Sequence, residues 1–192
     1  MEKPDYPRVT EILKPFTNLE YVPREVLDRA ATRGTKVHAL CAGIAEGAWI
    51  PDASIDPEHV GYVQSFVKWH LAQVKEFMVI EKRFADEHLY YTGQVDFVVM
   101  GTDDQIWLVD IKTSTKHQKT YPVQMAAYRE LLALHGIKTH GAMLVFLDKD
   151  GEFPDIDVLE NTEGEFSVFL AALECHKFFK QRKKNNGRTS TE

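Results

Sequence analysis

Residues 93–114 read GQVDFVVMGTDDQIWLVDIKTS, two runs rich in Val, Ile, Phe and Trp around the turn-forming stretch Thr102-Asp103-Asp104. The pattern predicts a β-hairpin with a three-residue loop closed by Gly101 and Gln105. That register sets Val98 against Leu108, Met100 against Ile106, and Asp96 against Asp110. Side chains alternate along a strand, so Lys112 joins Asp110 on the same face, which is otherwise apolar and suited to burial.

Two opposed carboxylates roughly 5 Å apart on such a face repel, and burying them costs several kcal/mol unless a positive group compensates. A divalent cation is the natural compensator, and carboxylate oxygens suit Mg²⁺ or Mn²⁺. Lys112 beside it can stabilise developing negative charge or help deprotonate a water. Those are the parts that metal-assisted phosphodiester hydrolysis requires. An isolated D-x-K after an apolar strand is ordinarily a charged strand end with its own ion pair. The rest of the chain decides between these readings.

Upstream, Val26, Ala30, Val37, Cys41 and Ile44 recur at helical spacing, which predicts a helix over 23–47 interrupted by Gly34, where something can approach closely. Val63, Phe66, Val67, Val74 and Phe77 predict a second helix over 58–77. Strands are expected over 78–84, 90–100 and 105–112 as an antiparallel meander. A helix over 121–134 follows, then strands over 139–147 and 153–159 and a helix over 163–184. The order ααβββαββα predicts an α/β chain with a central mixed sheet and helices on both faces, the site lying where the second and third strands splay apart.

A length of 192 residues, 44% apolar and 27% charged, fits one compact domain, expected over 1–184 with a polar tail over 185–192. The formal net charge of −6 is unlike that of a protein that coats nucleic acid. Between 148 and 165, however, eight acidic residues face Lys149 alone. That patch is expected to face away from nucleic acid or to bind a basic partner. Two cysteines, Cys41 and Cys175, exclude a four-thiolate iron–sulfur cluster within one chain and point to a reducing compartment. No apolar run approaches the roughly 20 residues that span a bilayer, so a cytoplasmic protein is expected, with no membrane partner.

Gly93-x-x-Asp96, Asp110-Ile111-Lys112-Thr113 and Gln124-x-x-x-Tyr128, together with Arg33-Gly34-Thr35-Lys36-Val37-His38 upstream, resemble the PD-(D/E)XK nuclease superfamily. The nearest branch is the RecB-like exonucleases, which include phage recombination exonucleases and a mitochondrial single-strand exonuclease. The resemblance implies a restriction-endonuclease-like core. Asp96 and Asp110 become carboxylate metal ligands, the Ile111 carbonyl a further ligand, and His38 a nitrogen ligand that favours Mn²⁺ beside Mg²⁺. Lys112 becomes the catalytic lysine. Gln124 and Tyr128, on one helix face, would orient it or hold the substrate backbone, and Thr113 and Ser114 would donate to phosphate oxygens. The sequence departs from the family pattern in having Val95 rather than Pro before Asp96, and its second acid takes the D-x-K rather than the E-x-K form, which the superfamily accepts.

What the resemblance implies is an exonuclease acting on single- or double-stranded DNA ends in phage or prophage recombination, replication or repair. Its companion would be a single-strand annealing or single-strand-binding protein. A catalytically silent DNA- or protein-binding module and an endonuclease of the same fold are the alternatives. No phosphate-loop motif is present. Glu81 reads equally as a supplementary carboxylate of the site or as an exposed strand residue. The other seven histidines show no shared ligand spacing. Lys177, Lys180, Arg182, Lys183, Lys184 and Arg188 read as a solvated helix end or as a backbone-tracking run, and Lys116, His117 and Lys119 are better placed to meet DNA. Trp69 and Trp107 are expected in the core.

Overall fold

The computed structural model describes residues 6–17, 19–114 and 118–186, with side chains to 180. A short helix α1 (Val9–Leu13) and a 3₁₀ turn lead to α2 (Arg24–Ala45) and α3 (Pro57–Gln73). Three strands follow, β1 (Val74–Asp86), β2 (Tyr91–Gly101) and β3 (Ile106–Lys112), then α4 (Thr120–Leu134), β4 (Gly141–Phe146), β5 (Asp155–Leu159) and α5 (Glu163–Asn186). Apart from the short α1, this is the expected order. The strands form one mixed sheet in the order β1-β2-β3-β4-β5. All neighbours are antiparallel except β3 and β4, which run parallel across the α4 crossover.

Strand alternation divides the core into two layers. Val98 and Leu108 point to a cluster completed by Ile12, Met125, Leu131 and Phe169 from α1, α4 and α5. Phe97, Val99, Trp107, Val109 and Ile111 point to the other layer, closed by Val37, Cys41, Phe66 and Trp69 from α2 and α3. Trp69 and Trp107 are core residues, as expected.

The hairpin has the register read from its turn. Phe97 pairs with Val109, Val98 with Leu108, Val99 with Trp107 and Met100 with Ile106. Gly101 donates its amide to the Gln105 carbonyl at 2.8 Å, and Asp104 takes the left-handed conformation the loop needs, with φ 63°. The ladder stops at Phe97 and Val109. Beyond it, Asp110, Ile111 and Lys112 pair only with Leu144, Val145 and Phe146 of β4, so β2 and β3 part where Asp96 and Asp110 stand.

Most boundaries shift by one or two residues, and the largest difference falls at the α3–β1 junction. The second helix ends at Gln73 and β1 begins at Val74 rather than Met78. Val74 and Phe77 continue the helical apolar stripe, but register shifts between Val74 and Glu76 and between Phe77 and Val79 let both pack on the α2–α3 layer from a strand. Tertiary packing here overrides the helical period that the sequence presents.

Gly93 has a steric reason. A Cβ there would lie 2.6 Å from Cε1 of Tyr128 and 2.8 Å from Cδ1 of Leu131. Gly93→Ala is therefore expected to displace α4 from β2 and to cost about 1–3 kcal/mol of stability. Thermal unfolding checks this, with a melting temperature lowered by roughly 3–10 °C as the expected outcome.

Candidate active site

Five elements, α2, β1, β2, β3 and α4, bring polar side chains to the opening between β2 and β3. Asp96 and Asp110 are buried, with 7% and 3% exposure. Asp96 occupies the gap left by the interrupted ladder, and its Oδ2 accepts the Ile111 amide at 3.0 Å. His38, on α2, reaches over from the opposite layer. Its Nε2 lies 3.0 Å from the Ile111 carbonyl and its Nδ1 3.4 Å from Asp96 Oδ2. At Gly34 α2 passes close to the end of β3, where a Cβ would stand in ordinary contact, 3.8 Å, with Thr113 Oγ1.

Glu81 belongs to the cluster. Ile80 pairs with Phe97 and Lys82 with Val95, so Glu81 falls opposite Asp96. Its backbone is left-handed, φ 45°, a conformation that costs a residue with a Cβ roughly 1–2 kcal/mol. Its Oε1 sits 3.5 Å from His38 Nδ1 and is buried without a hydrogen-bond partner, while Oε2 accepts from Gln94 Nε2 at 2.6 Å. Donor atoms of His38, Glu81 and Asp96 all lie within 4.8 Å of one another. The cleft beside them, about 530 Å³, is lined by Gly34, Thr35, His38, Ala39, Glu81, Gln94 and Asp96.

Asp110 and Lys112 form a second, adjoining unit. Lys112 Nζ lies 2.6 Å from Asp110 Oδ2, and Gln124 Nε2 donates to Asp110 Oδ1 at 2.9 Å. Gln124 thus meets the aspartate of this pair directly. Tyr128, one turn further along α4, is buried beside Gln124 on the same helix face. Ser114 Oγ is 3.3 Å from the Tyr121 hydroxyl, and the Thr113 carbonyl accepts from Arg33 Nη2 at 3.3 Å. Tyr121 is a residue that sequence reasoning missed, although its spacing of three and seven from Gln124 and Tyr128 puts all three on one face of α4. Lys116 and His117 lie outside the described residues. On α5, Lys180 pairs with Glu11 at 2.8 Å and Lys177 with Glu174 at 2.7 Å, so these two cations already have carboxylate partners.

The electrostatics follow from the crowding of acids. Burial alone would depress the His38 imidazole, but Asp96, Glu81 and Asp110 outweigh it and hold it up at about 10. Burial lifts the Asp110 carboxyl above the usual carboxylate range, against the pull of Lys112 and with the help of Asp96. The Cys41 thiol, beneath this cluster on α2, is pushed up by burial and then by Asp96 and Glu81, and stays protonated. The imidazolium thus acts as the cation that holds the carboxylates together.

A raised His38 contributes stability that is complete below its unfolded value of 6.5 and is lost as pH climbs from there through about 10. Melting temperatures in EDTA are expected to fall across that window. Added Mg²⁺ is expected to flatten the decline by taking the imidazolium's place. A profile in EDTA that is flat over the same range contradicts this electrostatic account.

The donor set fits a hard divalent cation: carboxylates, one imidazole, a buried orphan oxygen on Glu81 and no competing soft ligand within the cluster. A five-stranded mixed sheet flanked by helices, with an acidic cluster where β2 and β3 part, is the restriction-endonuclease-like architecture. Residues 12–184 match the PD-(D/E)XK nuclease superfamily, and the chain belongs to it. The sequence matches none of the curated proteins. Among solved structures the chain is similar to LHK-Exo in complex with dAMP, at 15% identity and a TM-score of 0.42 over 94% of each chain. It is also similar to SSO0001, at 15% identity and a TM-score of 0.36, over 50% of this chain and 48% of that one. Among the described residues no helix is long and apolar enough to cross a membrane.

Proposed function

We propose that the chain is a metal-dependent deoxyribonuclease that hydrolyses phosphodiester bonds from free DNA ends. The observation that carries this reading is the convergence of His38, Glu81 and Asp96 donor atoms beside the Asp110–Lys112 pair. Asp96, Asp110, His38 and the Ile111 carbonyl would hold Mg²⁺ or Mn²⁺, with Glu81 as a supplementary carboxylate. When bound, the cation supplies Lewis-acid stabilisation of the phosphoryl group and makes water a competent nucleophile at neutral pH.

The chain's own residues account for the rest. Lys112 places its ammonium where negative charge grows as the phosphorus becomes five-coordinate. Gln124 fixes one oxygen of Asp110, and the Ile111 amide fixes one oxygen of Asp96, so neither carboxylate must reorganise when substrate arrives. Thr113 and Ser114, at the end of β3, donate hydroxyls to the substrate backbone, while Tyr128 backs Gln124. The working unit is one nuclease domain over 1–184, acting in the cytoplasm of a bacterial or phage-infected cell. Its setting is recombination, replication or repair, beside a single-strand annealing or single-strand-binding protein.

Digestion of end-labelled linear and closed circular DNA, single- and double-stranded, with Mg²⁺, Mn²⁺ or EDTA tests this. Metal-dependent loss of linear DNA alone is the expected result. Cleavage of closed circles makes the protein an endonuclease. A folded, metal-supplied protein that cuts nothing is a silent binding module.

A further inference from the structure

We infer that Tyr121 is a positioning residue for Lys112, holding its ammonium on a π face so that it is shared between Asp110 and substrate. The inference rests on the hydrolytic reading of this site. Lys112 Nζ stands 4.4 Å from the centroid of the Tyr121 ring and 2.6 Å from Asp110 Oδ2, and only 16% of the lysine side chain is exposed. A buried ammonium with one carboxylate as its whole surroundings collapses onto that carboxylate. A second attractive surface is needed to define its direction. The quadrupole of an aromatic ring supplies one, and its attraction grows as water is excluded.

The ring is itself held. Its hydroxyl meets Ser114 Oγ at 3.3 Å, its face lies 6.3 Å between centroids from Phe146, and its amide donates to the Gln118 carbonyl at 3.0 Å in the first turn of α4. One turn further on, Gln124 donates to Asp110. The opening of α4 thus grips both halves of the pair: Tyr121 holds the lysine and Gln124 holds the aspartate. The two ends of Tyr121 separate cleanly, since the ring face serves Lys112 and the hydroxyl serves Ser114.

Two substitutions, a fluorinated series and one spectrum test this. Tyr121→Phe keeps the face and is expected to hold kcat within about threefold of wild type. Tyr121→Leu keeps bulk but removes the quadrupole, and is expected to lower kcat roughly tenfold or more while leaving KM and Mn²⁺ affinity within about twofold. Phenylalanines carrying one, two and three fluorines at 121, nearly isosteric with Tyr121→Phe, are expected to lower kcat stepwise. They keep the test decisive if the leucine variant does not fold.

Independently of activity, the Lys112 ε-methylene and ammonium protons should show an upfield ring-current shift by NMR. The shift is expected to survive in Tyr121→Phe and vanish in Tyr121→Leu. Rates unmoved by fluorination in an active enzyme, or a Lys112 resonance indifferent to the ring, overturn the inference. A wild type that cuts no DNA but shows the ring-dependent shift overturns the nuclease reading and leaves the placement of Lys112 standing.

Discussion

Replacing Lys112 by methionine is expected to lower the single-turnover rate of DNA hydrolysis by about 10³-fold, with DNA affinity nearly unchanged. The lysine lies at the end of β3 with its ammonium 2.6 Å from Asp110, and two losses coincide when it goes. The charge that meets the developing phosphorane disappears. Asp110 also loses the group that holds its carboxyl down against burial, so more of it is protonated near neutral pH. Removing one partner of a buried pair costs stability as well, on the order of 3–5 kcal/mol. The metal-free variant is therefore expected to melt earlier than wild type, and Mg²⁺ is expected to restore part of the difference. Quenched-flow rates at saturating Mg²⁺, with melting curves on the same samples, check both halves. A variant that cuts at the wild-type rate removes Lys112 from the chemistry.

Asp96→Asn is expected to weaken Mn²⁺ binding by about 10²-fold or more and to reduce kcat/KM at least as far. The asparagine keeps the shape of the aspartate and an oxygen for the Ile111 amide, which Asp96 Oδ2 accepts at 3.0 Å. It lacks the charge that draws both cation and imidazole. Asp96 is also the principal group raising His38, so the histidine should lose its proton at lower pH in the variant. Calorimetric titration with Mn²⁺ measures the first effect, and the His38 ring resonances followed against pH measure the second. Wild-type Mn²⁺ affinity in Asp96→Asn places the cation elsewhere.

The hairpin that carries Asp96, Asp110 and Lys112 was legible because a short turn with a left-handed residue at Asp104 fixes register locally. The α3–β1 junction was not. Val74 and Phe77 stand three apart, a helical spacing that strict strand alternation would split between two faces, and only the register shifts in β1 return both to the layer of Phe66 and Phe97. His38 reaches the Ile111 carbonyl across a separation of 73 residues, which no local pattern encodes, so only the family motif pointed to it. Glu81 stayed ambiguous because its left-handed backbone is imposed by its surroundings rather than by its neighbours in sequence. Tyr121 was within reach, since helical spacing links it to Gln124 and Tyr128. Beside Pro122 it looks like the opening of a helix, and nothing in the sequence says that a lysine will lie on its face.

The central claim is that the cluster at the parting of β2 and β3 is a divalent-metal centre serving phosphodiester hydrolysis. Anomalous diffraction from crystals of the full chain soaked in Mn²⁺ tests it most directly. The expected result is a manganese peak coordinated by Asp96 and Asp110 and reached by His38 or Glu81. Peaks confined to the exposed acids of residues 148–165, with nothing at Asp96, would contradict the account.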